Sequence, residues 1–143
     1  MENSNKENRN IKQAVPTNMK ESLGFYLRVL GFELKSSWPD DDNIRWCYIE
    51  NGGAAIMLQE NVPYKYDERM GQGTFGYGLS ICSFCEDALQ IYHEITSRGA
   101  VASEPFVSNG LLNTEVKDPD GYRLEFESYT KVAEGTRYSA WKR

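Results

Sequence analysis

The chain has 143 residues, 40% of them hydrophobic and 26% charged, and a formal net charge of −5. That length suits one domain with a real core. The acidic balance argues against nucleic acid as the main partner, since phosphate binding needs a concentrated basic face, and no apolar run reaches membrane-spanning length.

Residues 1–10 are rich in Asn, Lys, Glu and Ser and are expected to form a flexible arm. The start, MENSNKENRNIK, lacks the apolar segment of a secretory signal, so a cytoplasmic location is expected. Three cysteines, Cys47, Cys82 and Cys85, are an odd number in a chain that does not look secreted, and reduced thiols are expected. The small acid excess modestly favours cationic ligands at a distance.

From residue 11 one plan is used twice. A strand-like run, IKQAVP, precedes SLGFYLRVLG (22–31), a helix with Leu23, Tyr26, Leu27 and Leu30 on one face. Asn18 is its best N-cap and Gly31 its stop. Extended segments follow and end in NGGAAIMLQE. The second round runs from YGLSIC through EDALQIYHEITSRG (86–99), with Ala88, Leu89, Tyr92 and Ile95 inward and Gly99 as the stop, to PDGYRLEFES. Gly31 and Gly99 lie 68 residues apart, as do Gly53 and Gly121, and that offset sets Met57 against Glu125. The prediction is an α+β fold of two βαβββ modules, about 11–60 and 74–128, with helices near 19–30 and 86–98. The tail, 129–143, carries Tyr138 and Trp141, which could dock on the body or on a partner. Trp38 falls in the loop SSWPDDDN, which, like NVPYKYDERMGQGTFGYG, has no readable period.

Strand alternation then assigns faces. In DPDGYRLEFES, Leu124 and Phe126 share one face and Glu125 takes the other. A two-residue turn at Pro119-Asp120 would pair Asp118 with Gly121, Val116 with Arg123 and Thr114 with Glu125. The offset pairs Tyr48 with Ala55 and Trp46 with Met57. Cys47, Ile49, Ala54, Ile56, Leu124 and Phe126 then lie under the helices. Trp46, Tyr48, Met57, Thr114, Arg123 and Glu125 take the opposite face, and a one-residue slip would reverse the lists. An aromatic wall with a few polar groups suits a small-molecule site. Core packing is the competing account of Trp46 and Met57, and a salt bridge or a solvated rim that of Arg123 and Glu125.

SLGFYLRVLGFEL followed by GLLNTEVKDPDGYRLEFES resembles the vicinal oxygen chelate superfamily over roughly residues 11–128. Its members include glyoxalase I, extradiol dioxygenases, and fosfomycin- and bleomycin-resistance proteins. The resemblance implies two βαβββ modules whose curved sheet surrounds a cavity, with the helices on its convex faces and the face of Trp46, Tyr48, Met57, Thr114, Arg123 and Glu125 on its concave side. It also implies, for metalloenzyme members, one ligand on the first and one on the last strand of each module, usually His or Gln, and Glu. Glu125 matches the last-strand position of module two, and its module-one counterpart is Met57. The first-strand positions fall on Gly76, or Tyr77, and on Ile11, with Gln13 two residues further on the same face. A divalent ion needs several converging N or O donors. Glu125 and Gln13, the only metal candidates, leave no metal and no cofactor expected. His93 reads as a solvated helix residue outside the cavity. Cys82 and Cys85, a C-x-x-C without a second pair, read as incidental thiols.

The leading functional expectation is a metal-free binding protein similar to bleomycin-resistance proteins. It would hold a small organic molecule against Trp46, Tyr48, Met57, Gln13, Thr114, Arg123 and Glu125, in a homodimer whose chains complete each cavity, with neither nucleic acid nor membrane as partner. The alternative is a divalent-metal-dependent lyase, isomerase, thiol transferase or dioxygenase of the glyoxalase type. A third reading is a metal-free enzyme with Glu125 as general base, which requires burial to raise its pKa.

Overall fold

The structure, a computed structural model, describes residues 12–14, 16, 18–60 and 79–141. The expectations for the 1–10 arm, Ile11, Gly76, Tyr77 and the 61–78 loop lie outside the described residues. The order is β1 (Lys12–Ala14), α1 (Met19–Gly24, continued by a π-helical stretch, Phe25–Val29), β2 (Glu33–Trp38), β3 (Trp46–Asn51) and β4 (Ala54–Gln59). Then come β5 (Ser80–Phe84), α2 (Ala88–Ser97), β6 (Phe106–Ser108), β7 (Leu111–Lys117), β8 (Arg123–Tyr129) and α3 (Tyr138–Trp141). The strands form two sheets of the same topology, β1-β4-β3-β2 and β5-β8-β7-β6. This is the predicted βαβββ plan, twice.

Local chemistry places the helices. Asn18 Oδ1 accepts the Glu21 N–H at 3.1 Å to start α1, and Asp87 caps α2 by accepting from Leu89 and Gln90. Gly31, at φ 75°, turns the chain out of the first helix. Tyr26 and Ile95 are fully buried, while Leu23, Leu27, Leu89 and Tyr92 are half-buried. Among the described residues no helix is long and apolar enough to cross a membrane.

The helix-facing sides of both sheets enter one core. Cys47, Ile49, Ile56 and Leu58 of the first sheet share a cluster with Val116, Leu124 and Phe126 of the second, together with Met19, Tyr26 and Ile95 from the helices. The join is also polar: the buried Tyr26 Oη donates to Asp118 Oδ2 at 3.0 Å, and Ser22 Oγ donates to Asp120 at 3.3 Å.

That same Asp118 corrects the predicted hairpin. Its Oδ1 accepts the N–H groups of Asp120 and Tyr122, each at 2.9 Å, which takes one more residue into the turn. Asp118 therefore pairs with Tyr122, and Gly121, at φ 95°, supplies the left-handed residue of a three-residue loop. The strand partners become Lys117 with Arg123, Glu115 with Glu125 and Thr114 with Phe126. Thr114 consequently leaves the concave side. It is fully buried under α2, its hydroxyl donating to the Ala88 carbonyl at 2.7 Å. In the first module the turn is Gly52-Gly53, so Trp46 pairs with Gln59 and Tyr48 with Met57. This shift of two positions preserves every face. Trp38 also moves from the predicted loop to the end of β2, opposite Trp46.

The tail docks on the body. The Gly135 N–H donates to the Val107 carbonyl and the Val107 N–H to that of Thr136, which covers the β6 edge. Tyr138 meets the rings of Tyr92 and His93, its Oη lying 3.3 Å from His93 Nε2, and Trp141 packs against a second cluster of Ala88, Val107 and Leu112. His93 is exposed as expected, but it also braces the tail.

Asp118→Ala would strand the Tyr26 hydroxyl and two amides, and urea unfolding should show a loss of about 2–4 kcal/mol. Asp118→Asn should retain most of that stability. Burial raises the Asp118 carboxyl pKa above its ordinary 3.8, with bonds from Tyr122, Tyr26 and Asp120 opposing. The associated stability is present below the ordinary value and lost as pH rises through the folded one. The Asn variant should therefore gain on wild type between acid and neutral pH.

Candidate functional site

With their helix-facing sides in a common core, the sheets turn their other faces outward. On the first sheet that face carries Trp46, Tyr48 and Met57, all half-buried and outside the buried core cluster. Tyr48 Oη donates to Glu50 at 2.7 Å. Trp38, 65% exposed, extends the aromatic surface beside Trp46. Gln13 occupies the β1 position opposite Met57.

The second sheet carries a polar cluster around Glu125. The parallel pairing of β5 with β8 sets Cys82, rather than Gly76 or Tyr77, opposite Glu125. Cys82 Sγ approaches Glu125 Oε2 at 3.3 Å, while Ser80 Oγ and Arg123 Nη2 donate to Oε1 at 3.1 and 3.0 Å. Arg123 is shared, lying 3.3 Å from Glu115 Oε2. The Arg123–Glu125 salt bridge, the account that competed with a binding role for these two residues, is therefore present, and it belongs to a network. Ser80, Cys82, Asn113, Glu115 and Glu127 were not among the sequence candidates. Thr114 has no place here.

Partial burial pushes the Glu125 carboxyl up, but bonds from Cys82, Ser80, Arg123 and Asn113 outweigh it and hold its pKa below the usual carboxylate range. Glu125 is therefore an ionised acceptor at neutral pH. A general base would need the opposite shift. Lost solvation, then the bond and charge of Glu125 and the charge of Glu127, push the Cys82 thiol up to about 11. At neutral pH it is a hydrogen-bond donor and a poor nucleophile.

Cys82, Glu125 and Glu127 each present one ligand atom, all within 4.8 Å of one another. The set fits a hard divalent ion poorly. The thiol would have to lose its proton, Arg123 already pairs with Glu125, and the matching position on β4 is the thioether Met57.

The family model for the Glyoxalase/Bleomycin resistance protein/Dioxygenase superfamily matches residues 13–126. The chain belongs to this superfamily. No curated protein sequence matches it. Among solved structures, TioX from Micromonospora sp. ML1 superposes with a TM-score of 0.69 at 22% identity, covering 84% of this chain and 97% of TioX. TnmS3, an antibiotic binding protein from Streptomyces sp. CB03234, gives 0.65 at 18% identity, with 84% and 93% covered. A superfamily protein from Nocardioides gives 0.67 at 16%, with 87% and 84% covered. At these identities the likeness is one of fold.

Cys82 should alkylate with iodoacetamide at pH 8 more slowly than a free cysteine. Glu125→Gln, which removes an acceptor and a negative charge, should lower its pKa and speed the reaction. Peptide-resolved mass spectrometry separates it from Cys47 and Cys85.

Proposed function

We propose that this superfamily member binds an aromatic or amphipathic small organic molecule on its outer sheet faces, without a metal or other cofactor. The observation that carries this reading is the first sheet's outward set of Trp46, Tyr48 and Met57, brought together by the β3–β4 register. Indole, phenol and thioether supply apolar contact area with little ordering cost. The second sheet adds an ionised carboxylate, Glu125, to receive a donor or a cation.

In one chain these two faces belong to different sheets behind a shared core. A homodimer that sets the first sheet of one protomer against the second sheet of its partner brings both chemistries into one cavity. The antibiotic-binding description of TnmS3 supports the reading at the level of fold.

The metal-dependent alternative is favoured by one observation, the convergence of Cys82, Glu125 and Glu127. Protein exposed to zinc, nickel, manganese or ferrous ion and then desalted should retain well under one equivalent. Stoichiometric retention that disappears in Glu125→Ala would favour the metalloenzyme instead.

Binding is tested by a fluorescence screen of cationic and neutral aromatic compounds. Trp46→Ala should weaken hits by about 1–3 kcal/mol while the protein stays folded. Trp38→Ala, at the exposed strand end, should cost less. Unchanged affinity for every hit in both variants would remove the aromatic wall from the account.

A further inference from the structure

The outer face of the second sheet holds an aromatic pair that the Glu125 network does not use. Phe84 and Tyr129 are 70% and 88% exposed, yet their rings stack at 24° with centroids 6.5 Å apart. Phe84, on β5, is the strand partner of Glu127, and Tyr129 lies two residues beyond Glu127 on the same face of β8. The pair therefore flanks one carboxylate.

That carboxylate differs from its neighbours. Glu115 and Glu125 share Arg123. Among the described residues, the side chain of Glu127 accepts one hydrogen bond, from Asn113 Nδ2 at 3.4 Å, and no Lys or Arg pairs with it. It is half-buried, so its charge is partly removed from water without a counter-ion.

A half-buried anion beside a stacked pair of exposed rings matches one ligand chemistry. A cation is drawn to the ring faces by their quadrupole, most strongly when its shell is apolar. An alkylated ammonium also offers C–H surface to Phe84 and Tyr129 and charge to Glu127. A neutral ring would leave Glu127 without a counter-charge, and an anion would be repelled. A bare metal ion would go to Cys82, Glu125 and Glu127 and leave the rings idle.

We propose that Phe84, Glu127 and Tyr129 form a subsite for the organic ammonium group of the ligand. The proposal rests on the outward sheet faces being the binding surface, and it deepens that reading by naming a charged group the ligand carries.

The test compares choline with its uncharged isostere, 3,3-dimethylbutan-1-ol, by amide chemical-shift titration of the full chain. Choline should shift the amides of Phe84, Glu127 and Tyr129 saturably, and the alcohol should bind more weakly by roughly three- to tenfold. Glu127→Gln and Tyr129→Ala should each weaken choline by a similar factor. Glu94→Gln, on the helix behind the sheet, should not. Equal binding of choline and the alcohol would reduce the pair to apolar contact and overturn the proposal. So would full choline affinity in Glu127→Gln, absence of choline shifts, zinc shifting these amides while choline does not, or shifts that follow protein concentration alone. Failure here would leave quenching of Trp46 by neutral aromatic compounds intact, whereas failure of the wider reading would remove that as well.

Discussion

One buried carboxylate, Asp118, governs both the join between the modules and the register of the hairpin that carries Glu125. Its two oxygens divide the work: Oδ1 closes the turn on the amides of Asp120 and Tyr122, and Oδ2 takes the Tyr26 hydroxyl of the other module. Adding one residue to the turn moves β7 one position along β8. Because side chains alternate, that single step carries Thr114 under the helix and brings Asn113 and Glu115 outward. The charge network of the second sheet depends on this step, since Glu115 is what holds Arg123 from the other side.

The two outer faces are chemically unlike although their topology is the same. On β4 and β8 the corresponding positions are Met57 and Glu125, and on β1 and β5 they are Gln13 and Cys82. A hard ion needs oxygen or nitrogen donors at most of these positions, and the sheets instead offer a thioether and a protonated thiol. Glu125 is stabilised as an anion by the side-chain donors Cys82, Ser80, Arg123 and Asn113 on its own face, so it is built to remain charged. The unpaired anion beside it is Glu127. The first face carries aromatic and thioether surface and the second carries charge.

Much of the fold was legible in the sequence because its signals are local. Asn18 and Gly31 bound the first helix through cap chemistry, and the 68-residue spacing of glycines exposed the repeat. The faces of β8 were legible because its own alternation of Leu124, Glu125 and Phe126 sets them, and those of β3 and β4 because an error of two positions in a hairpin is silent. Thr114 failed because an error of one is not, and the Asx geometry of Asp118, two residues before an amide it captures, was the local clue. Cys82 was missed for a different reason. The glycine landmarks fix the helices and hairpins, whereas the register of a parallel first strand depends on the connection between strand and helix, which differs by one residue between the modules. Gln13 and Cys82 are 69 residues apart. Glu127 and its flanking rings carry no local sequence signature, since their meeting depends on β5 pairing with β8 across some forty residues.

The central claim is that the outward face of the first sheet takes up ligand without a metal. Met57 lies on that face, while Met19 is buried in the core at 3% exposure. Protein carrying ¹³C-methyl methionine and stripped of divalent ions can be titrated with the tightest aromatic hit. The account predicts a saturable shift of the Met57 methyl with Met19 unmoved. Saturating binding that leaves Met57 in place, or a shift that requires added divalent metal, would contradict it.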